Sequence, residues 1–237
     1  IEGEWWLIKK AYENKRLYKG KKTMHWCAKC GTALAKHELE YKNVRDESIF
    51  IKFKVKGKEN EFLIIWTTTP WTIPHNLAIM AGPDIDYVRA KVGNEVWIVA
   101  KQLVSVFISG VADKEFEIIE EFKGKELEGM KYIHPLIEYI PPFKKIEEEC
   151  PKAFTVVMSS EYVDTSSGTG LVHCAPGGGP EDYEVGLKNK LPPFNELNEN
   201  GIFKEGMRKF TGKKSKENGD KFFIDALEQE GVLIATS

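Results

Sequence analysis

The run from Trp66 to Asn76 holds most of the side chains in this sequence that could do chemistry. It places hydroxyls between and beside two indoles and reads Trp66-Thr67-Thr68-Thr69-Pro70-Trp71-Thr72-Ile73-Pro74-His75-Asn76. The run 61–66 before it, which is apolar after Glu61, predicts a buried strand that the two prolines prevent from continuing. The threonines are therefore expected at a strand end, held rigidly and facing a cleft. The alternative is a turn rich in threonine and proline that two tryptophans anchor.

A second run combines glycines, a histidine and two acids. It reads Gly168-Thr-Gly-Leu-Val-His173-Cys-Ala-Pro-Gly-Gly-Gly-Pro-Glu-Asp182. We interpret it as a short strand ending at His173, a glycine-rich loop that lets a ligand approach, and a helix that opens at Pro180. A phosphate site is not favoured, because the Gly-x-x-x-x-Gly-Lys-Ser/Thr motif is missing and two carboxylates at the helix start would repel a phosphate.

Asp182 at this helix start is expected to stay ionised, because the positive end of a helix favours the charged carboxylate. A fixed carboxylate suits an ammonium ligand. The alternative is that Glu181 and Asp182 are ordinary first-turn acids and that His173 is a histidine satisfied at a strand end.

The cysteine spacing indicates half of a metal site. Cys27 and Cys30 form a Cys-x-x-Cys pair, which is typical of a zinc knuckle or ribbon and supplies two of four tetrahedral ligands. Cys150 and Cys174 show no such pairing, and two unliganded surface thiols are the alternative for the pair. Cys174 beside His173 would suit a Cys/His nucleophile, but neighbours in a strand point to opposite faces.

Alternation of apolar and polar residues predicts short strands along most of the chain. It starts near Leu39 and Tyr41 and continues through 49–55, 62–66, 76–81, 87–92, 95–100, 116–121, 154–158 and 170–174. Helices are predicted at 4–18, 101–109, 181–190 and 220–230. This pattern predicts a mainly β fold, a β-barrel with α-helices packed outside. Residues 1–45 are predicted to form a stem helix that packs on another surface and half of a zinc ribbon, and residues 46–237 the barrel.

Composition narrows the class of protein. With 237 residues and 42% apolar residues, the chain can bury a sizeable core. Its formal net charge of -2 gives no overall basic field for nucleic acid, although a local patch at 19–22 leaves a tRNA partner open. No apolar run is long enough for a membrane span, and the few cysteines favour a cytoplasmic location. The chain lacks an initiator Met, from which we expect a piece of a longer protein.

The two runs together resemble the signature segments of the editing domain inserted in isoleucyl-tRNA synthetases. Valyl and leucyl relatives typically read Thr-x-Arg-Pro-Glu-Thr in the first segment, where this chain has Thr69 and Trp71 in the Arg and Glu positions. They usually have Lys or Met in the position of His173. The resemblance extends over nearly the whole chain. The synthetic signatures His-Ile-Gly-His and Lys-Met-Ser-Lys-Ser are missing, so the resemblance implies a chain that does not aminoacylate.

This resemblance implies an aminoacyl-tRNA deacylase that hydrolyses valine wrongly attached to tRNA(Ile), with valyl-adenylate as a second candidate substrate. One methylene is worth only about 1–3 kcal/mol in an apolar pocket, so a second site must exclude isoleucine by size. The alternative is a module that binds tRNA or an amino acid without turnover. The implied partners are the acceptor end of tRNA(Ile), the valine moiety and the rest of the synthetase, with no membrane. Editing needs no cofactor, and zinc requires a second cysteine pair outside this chain.

The resemblance also assigns residues. Asp182 corresponds to the acid that holds the α-ammonium, and His173 to the residue that excludes isoleucine. The candidate catalytic set is Thr67, Thr68, Thr69, His173 and Asp182, and the candidate substrate-binding set is Trp66, Trp71, Thr72, Asn76 and Gly178. The base stays unassigned between His173 and a hydroxyl of the terminal ribose. Because this chain has glycines at 177–179 where many relatives carry an aromatic residue, Tyr183 or Trp71 is expected to supply that wall.

Overall fold

The computed structural model describes residues 1–44, 47–215 and 219–237. These residues form two sheets, a separate short hairpin and peripheral helices. The strands are β1 (Trp26–Cys27), β2 (Thr32–Ala33), β3 (Ile49–Val55), β4 (Glu61–Thr67), β5 (Ala78–Ala81), β6 (Asp86–Val92), β7 (Glu95–Ala100), β8 (Glu117–Lys123), β9 (Tyr132–Ile133), β10 (Thr155–Met158), β11 (Leu171–Cys174) and β12 (Leu233–Thr236). The helices are α1 (Glu2–Glu13), α2 (Val104–Ile108), α3 (Pro142–Glu149), α4 (Pro180–Asn189) and α5 (Gly219–Gln229).

The larger sheet has the strand order β12-β3-β4-β7-β6-β8, and β9 pairs with β3. Its neighbours are antiparallel except for β4 and β7, which run parallel. Strand β3 contributes to both faces of the sheet, because its alternate residues enter two different clusters, whereas the edge strand β8 is mainly exposed. Ile51 and Phe53 belong to the main core, whereas Phe50 points to the opposite face and stacks on Phe107 of α2 at 4.8 Å. Side chains that alternate along β3 therefore supply two apolar layers, one on each face of the sheet.

The smaller sheet has β5 at its centre, parallel to β10 and antiparallel to β11. All four residues of β5 are buried, which fits a continuous apolar strand covered on both faces. Its core residues join those of the larger sheet in one cluster, and β11 lies against β4. The C-terminal ends of β4 and β11 are thereby brought together, and these ends carry the threonines and His173.

The mainly β class with outer helices is confirmed, but closure into a barrel is not. The strand ladders among the described residues leave both sheets open at their edges. Most predicted strands form within two residues of the expected bounds. The strand predicted through Leu39 and Tyr41 is wrong: Lys36–Glu38 is a short 3-10 turn, and Tyr41 is exposed with no neighbouring strand among the described residues. The elements α3, β9 and β12 were not predicted from the sequence.

The N-terminal segment differs from the prediction in its packing. Helix α1 forms, but it ends at Glu13 and none of its residues is buried, so the expected packing of the stem is not found among the described residues. The hairpin β1–β2 contacts the rest of the chain, where Trp26 Nε1 donates to the Glu199 carbonyl at 2.7 Å. The predicted domain boundary at residues 45 and 46 lies outside the described residues.

Candidate functional site

A cleft of about 360 Å³ opens where β4 and β11 end. Its walls are the end of β4, the loop that precedes β11, β11 itself and the first turn of α4. Residues 66–69, 162, 164, 166–173 and 182 line it. The two sequence runs, which are separated by about a hundred positions, thus contribute residues to the same cavity.

The threonines on the β4 side bind one another. The Thr69 amide donates to Thr67 Oγ1 at 3.1 Å, and the hydroxyls of Thr67 and Thr69 lie 3.2 Å apart. Thr69 Oγ1 lies 3.2 Å from Thr72 Oγ1, and Thr72 Oγ1 donates to the Thr69 carbonyl at 2.7 Å. The strand ends at Thr67 because Pro70 and Pro74 turn the chain into a 3-10 helix over Pro70–His75. The network fixes the hydroxyl positions, and Thr68 alone of the four is exposed.

His173 closes the opposite wall of the cleft. It belongs to β11 and is only 7% exposed. Its Nε2 lies 3.0 Å from Thr72 Oγ1, whereas its buried Nδ1 has no hydrogen-bond partner among the described residues. Burial lowers the pKa of His173 to about 4, so the ring is neutral at pH 7. A neutral, fixed imidazole can limit the size of a ligand, and it is too weakly basic to take a proton readily.

Asp182 is the acid of the cleft. It lies in the first turn of α4, half-buried, and its Oδ2 accepts the Ala175 amide at 2.8 Å. Burial raises the pKa of Asp182 to about 6; the Ala175 hydrogen bond lowers it in part, and the neighbouring Glu181 raises it further. The helix end was expected to favour the charged form of Asp182, but desolvation outweighs it and raises the pKa. At pH 7 the carboxylate is still mainly ionised.

Two glycines set the path of the loop that floors the cleft. Gly170 has a φ of +75°, and a Cβ there would come 2.4 Å from Ala100 Cβ. Its carbonyl accepts the Tyr87 hydroxyl at 2.5 Å. Gly168 has a φ of +74°, and a Cβ there would come 3.0 Å from the Trp66 ring. These positions need glycine because the backbone is left-handed and lies directly on the sheet.

The polar groups of the cleft suit a ligand that brings hydrogen-bond donors. The Asp182 carboxylate can only accept while it is ionised, and the Ala175 amide holds one of its oxygens. Among the described residues that line the cleft, no lysine or arginine is present to attract an anion. A cationic amine and water satisfy such a site better than a phosphate does.

Comparison with known proteins places the chain in a family. The family model described as tRNA synthetases class I (I, L, M and V) matches residues 1–176. The chain belongs to this family. It is 47% identical to the isoleucine–tRNA ligase of Pyrococcus abyssi and 46% to that of Pyrococcus horikoshii, each over 240 aligned residues that cover 99% of this chain and 22% of the relative. The predicted resemblance to isoleucyl-tRNA synthetases is confirmed, and the chain spans about a fifth of the length of these relatives.

The fold also matches a solved structure. The crystal structure of GlLeuRS-CP1 superposes with a TM-score of 0.60 at 17% identity, covering 81% of this chain and 99% of that one. At this identity the likeness concerns the fold alone. The helices of residues 1–44, 47–215 and 219–237 include none with the length and apolar character that a membrane span requires.

Several residues predicted at the site of this class I synthetase chain lie beside the cleft and not in it. Asn76 is fully buried. Its side-chain Nδ2 donates to the Ala78 carbonyl at 2.8 Å, and its side-chain Oδ1 accepts the Tyr132 hydroxyl at 2.5 Å. Trp71 packs against the main core. Thr72 stands behind His173, and Gly178 lies in the loop before α4; neither lines the cleft. Asn76 and Trp71 thus hold the loop that carries the threonines.

Within the glycine run at 177–179, packing requires glycine at Gly177, is tight at Gly178 and leaves space at Gly179. A Cβ at Gly177 would come 2.2 Å from the Phe194 carbonyl oxygen, and one at Gly178 would come 3.2 Å from that of Ala175. None of the three glycines lines the cleft. A ligand was expected to approach this loop closely. At Gly177 it is the chain itself, through the Phe194 carbonyl, that lies close to the backbone.

Sequence reasoning missed the far wall of the cleft. Tyr162 and Asp164 line it, and Asp164 Oδ1 accepts both the amide and the hydroxyl of Ser166, at 2.9 and 2.7 Å. Tyr162 and Trp66 are the aromatic residues of the lining, whereas Tyr183 and Trp71, which were expected there, are not part of it. The available signal was the small polar run 164–169, which is typical of a turn that faces solvent.

The cysteine pair lies in the hairpin β1–β2, away from the cleft. The Cys30 amide donates to Cys27 Sγ at 3.3 Å, and this interaction lowers the pKa of the Cys27 thiol, which favours the thiolate that a metal needs. No group of three or more His, Cys, Asp or Glu able to hold a metal occurs in the part of the chain that the structure describes. The pair fits half of a zinc site, as its spacing indicates.

Proposed function

We propose that this chain is the editing site of an isoleucyl-tRNA synthetase and hydrolyses valine from mischarged tRNA(Ile), with valyl-adenylate as a second substrate. The observation that carries the proposal is the half-buried Asp182 carboxylate in a cleft whose other walls are the threonine network and a neutral His173. This chain matches only 22% of the length of its Pyrococcus abyssi relative, which supports a site that works within a longer synthetase.

The carboxylate supports recognition of an α-ammonium group. Ala175 holds one oxygen of Asp182, and no described residue binds the other, so it is available to a ligand. An ammonium beside the carboxylate stabilises its charged form and lowers the raised pKa of Asp182. Binding therefore weakens as the pH falls through about 6, where Asp182 takes up a proton in the free protein.

Discrimination against isoleucine rests on size. His173 is buried and held by Thr72, so it cannot move aside without breaking a hydrogen bond. A rigid wall makes the extra methylene of isoleucine clash. Such a clash discriminates between valine and isoleucine by more free energy than the roughly 1–3 kcal/mol that a missing methylene contact provides.

The chemistry needs little beyond orientation, because an aminoacyl ester is already activated. The threonine hydroxyls and the cleft position one water and the ester, and donors near the ester oxygen stabilise the tetrahedral oxyanion. A cysteine nucleophile is disfavoured: Cys174 is buried, its Sγ contacts the Asp182 carbonyl, and burial raises its pKa well above the ordinary value. The terminal ribose remains the candidate source of the base.

A tRNA partner is supported by a basic segment beside the cleft. Residues 19–22 contain three exposed lysines, and the Tyr183 hydroxyl holds this segment by donating to the Lys21 carbonyl. Tyr183 follows Asp182 in helix α4. Lysines at this place can neutralise backbone phosphates near an acceptor end that enters the cleft. Cys27 and Cys30 would supply half of a zinc site whose other ligands lie outside this chain.

The test is deacylation of Val-tRNA(Ile) and Ile-tRNA(Ile) by the chain and two variants. We expect release of valine and little release of isoleucine, loss of release in Asp182→Asn, and near wild-type release in Glu181→Gln. Glu181 is the matched control because it is an exposed acid in the same helical turn and does not line the cleft. Binding of Val-tRNA without any release would support the alternative, a non-catalytic module, and would overturn the proposal.

A further inference from the structure

The Thr72 hydroxyl has a single proton, and its contacts determine where that proton lies. Thr72 Oγ1 is 2.7 Å from the Thr69 carbonyl oxygen and 3.0 Å from His173 Nε2. A carbonyl oxygen can only accept, so the hydroxyl must donate to it. Thr72 Oγ1 therefore has only lone pairs to offer to His173. The hydrogen bond between them requires that Nε2 carry the imidazole proton.

The remaining ring nitrogen follows from the charge of the ring. Burial holds the pKa of His173 at about 4, so the neutral imidazole has one proton, and Nε2 uses it. Nδ1 is then an unprotonated acceptor, buried and without a partner among the described residues. His173 lines the cleft, but Nδ1 itself is shielded from solvent. The Thr72 contact is therefore the hydrogen bond that holds the ring at this wall.

We propose that Thr72 is a positioning residue, which fixes the Nε2–H tautomer of His173 and the orientation of the ring that lines the cleft. This inference rests on the proposed function for the role of that ring as the wall that excludes isoleucine. It also corrects the expectation that Thr72 contacts substrate, since the Thr69 carbonyl and His173 occupy its hydroxyl. Thr72 therefore sets the size limit of the site through His173.

Two other buried histidines provide internal standards for the tautomer. His134 Nε2 lies 2.9 Å from the Ile73 carbonyl while its Nδ1 accepts the Leu136 amide, so its proton is on Nε2. His75 Nε2 accepts the Glu196 amide at 3.1 Å, so its proton is on Nδ1. Neither ring bonds to Thr72, and both should keep their tautomers when Thr72 is changed.

The experiment combines ¹⁵N NMR of the histidine rings with deacylation, in the wild type, Thr72→Val and Thr72→Ser. Valine keeps the branched shape without the acceptor, and serine keeps the hydroxyl. We expect His173 to be Nε2–H in the wild type and the serine variant and a mixture of tautomers in the valine variant, with His75 and His134 unchanged. The preference for valine over isoleucine in kcat/KM should fall roughly tenfold in Thr72→Val and recover in Thr72→Ser.

Outcomes separate this inference from the proposed function. A wild-type His173 with its proton on Nδ1, or a Thr72→Val variant with the wild-type tautomer and the wild-type preference, would overturn the positioning role. Because the NMR spectrum needs no turnover, a wild type that hydrolyses neither ester but shows the expected tautomers overturns the proposed function and leaves the Thr72–His173 coupling in place. The His75 and His134 signals would show whether Thr72→Val folds. If it does not, the tautomer of wild-type His173 and the behaviour of the serine variant decide whether Thr72 positions the ring.

Discussion

Asp182 makes a prediction about stability because its carboxylate is desolvated in the folded chain. Its pKa rises from 3.8 to about 6 on folding, which corresponds to about 3 kcal/mol at about 1.36 kcal/mol per pKa unit. Since the folded state binds the proton more tightly, the charge destabilises the fold above about pH 6, and this effect disappears as the pH falls to about 4. Solvent still reaches the side chain, so we expect only part of this value, about 1–2 kcal/mol.

The substitution Asp182→Asn removes the charge and keeps an oxygen that can accept the Ala175 amide. Urea unfolding at pH 7.5 should therefore give a free energy of unfolding about 1–2 kcal/mol above that of the wild type, even though we expect the variant to lose the proposed deacylation. Near pH 4 the two proteins should be equally stable. Glu181→Gln, which alters an exposed acid of the same turn, should change stability little at either pH. A destabilised Asp182→Asn at pH 7.5, or a difference that does not depend on pH, would refute the desolvation argument.

Two further predictions concern the supports of the site. Gly170→Ala should lower the free energy of unfolding by about 2–4 kcal/mol in urea titrations, because the left-handed backbone and the sheet beneath both oppose a Cβ. The control is Gly129→Ala. Gly129 is also left-handed but has open space around it, so this change should cost only about 1 kcal/mol. Tyr132→Phe should cost about 1–3 kcal/mol because it leaves a buried amide oxygen unpaired, whereas Tyr162→Phe, at an exposed hydrogen bond, should be nearly neutral. Equal effects within either pair would contradict the packing that we describe.

Much of the fold could be predicted because local patterns determine it. The alternation in β3 and the apolar run of β4 mark strands whatever their partners, and Pro70 and Pro180 fix the ends of elements through their backbone restrictions. Closure of the sheets depends on which distant edges pair, and no local pattern records that. The same limit explains β9 and β12, which are short and need the edge of β3 to form.

The candidate site shows the same division between local and distant information. The two runs were found because threonines beside prolines and glycines before an acid are unusual in a packed core. Their details depended on burial, which the sequence does not give. The helix start predicted a stabilised charge at Asp182, but the surrounding wall desolvates it. The glycine run suggested a ligand, but Gly177 faces the Phe194 carbonyl.

The hydrogen bonds of the threonine loop indicate that it positions a ligand and does not supply a nucleophile. Thr69 and Thr72 satisfy each other and the backbone, and Thr72 also accepts from the ring of His173 under the assignment above. What the network leaves for a ligand is the Asp182 carboxylate, which accepts, and the exposed hydroxyls of Thr68 and Ser167, which line the cleft and can donate. The carboxylate favours an ammonium group over a phosphate or a free acid. The hydroxyls leave donors for an ester oxygen, which the proposed hydrolysis requires.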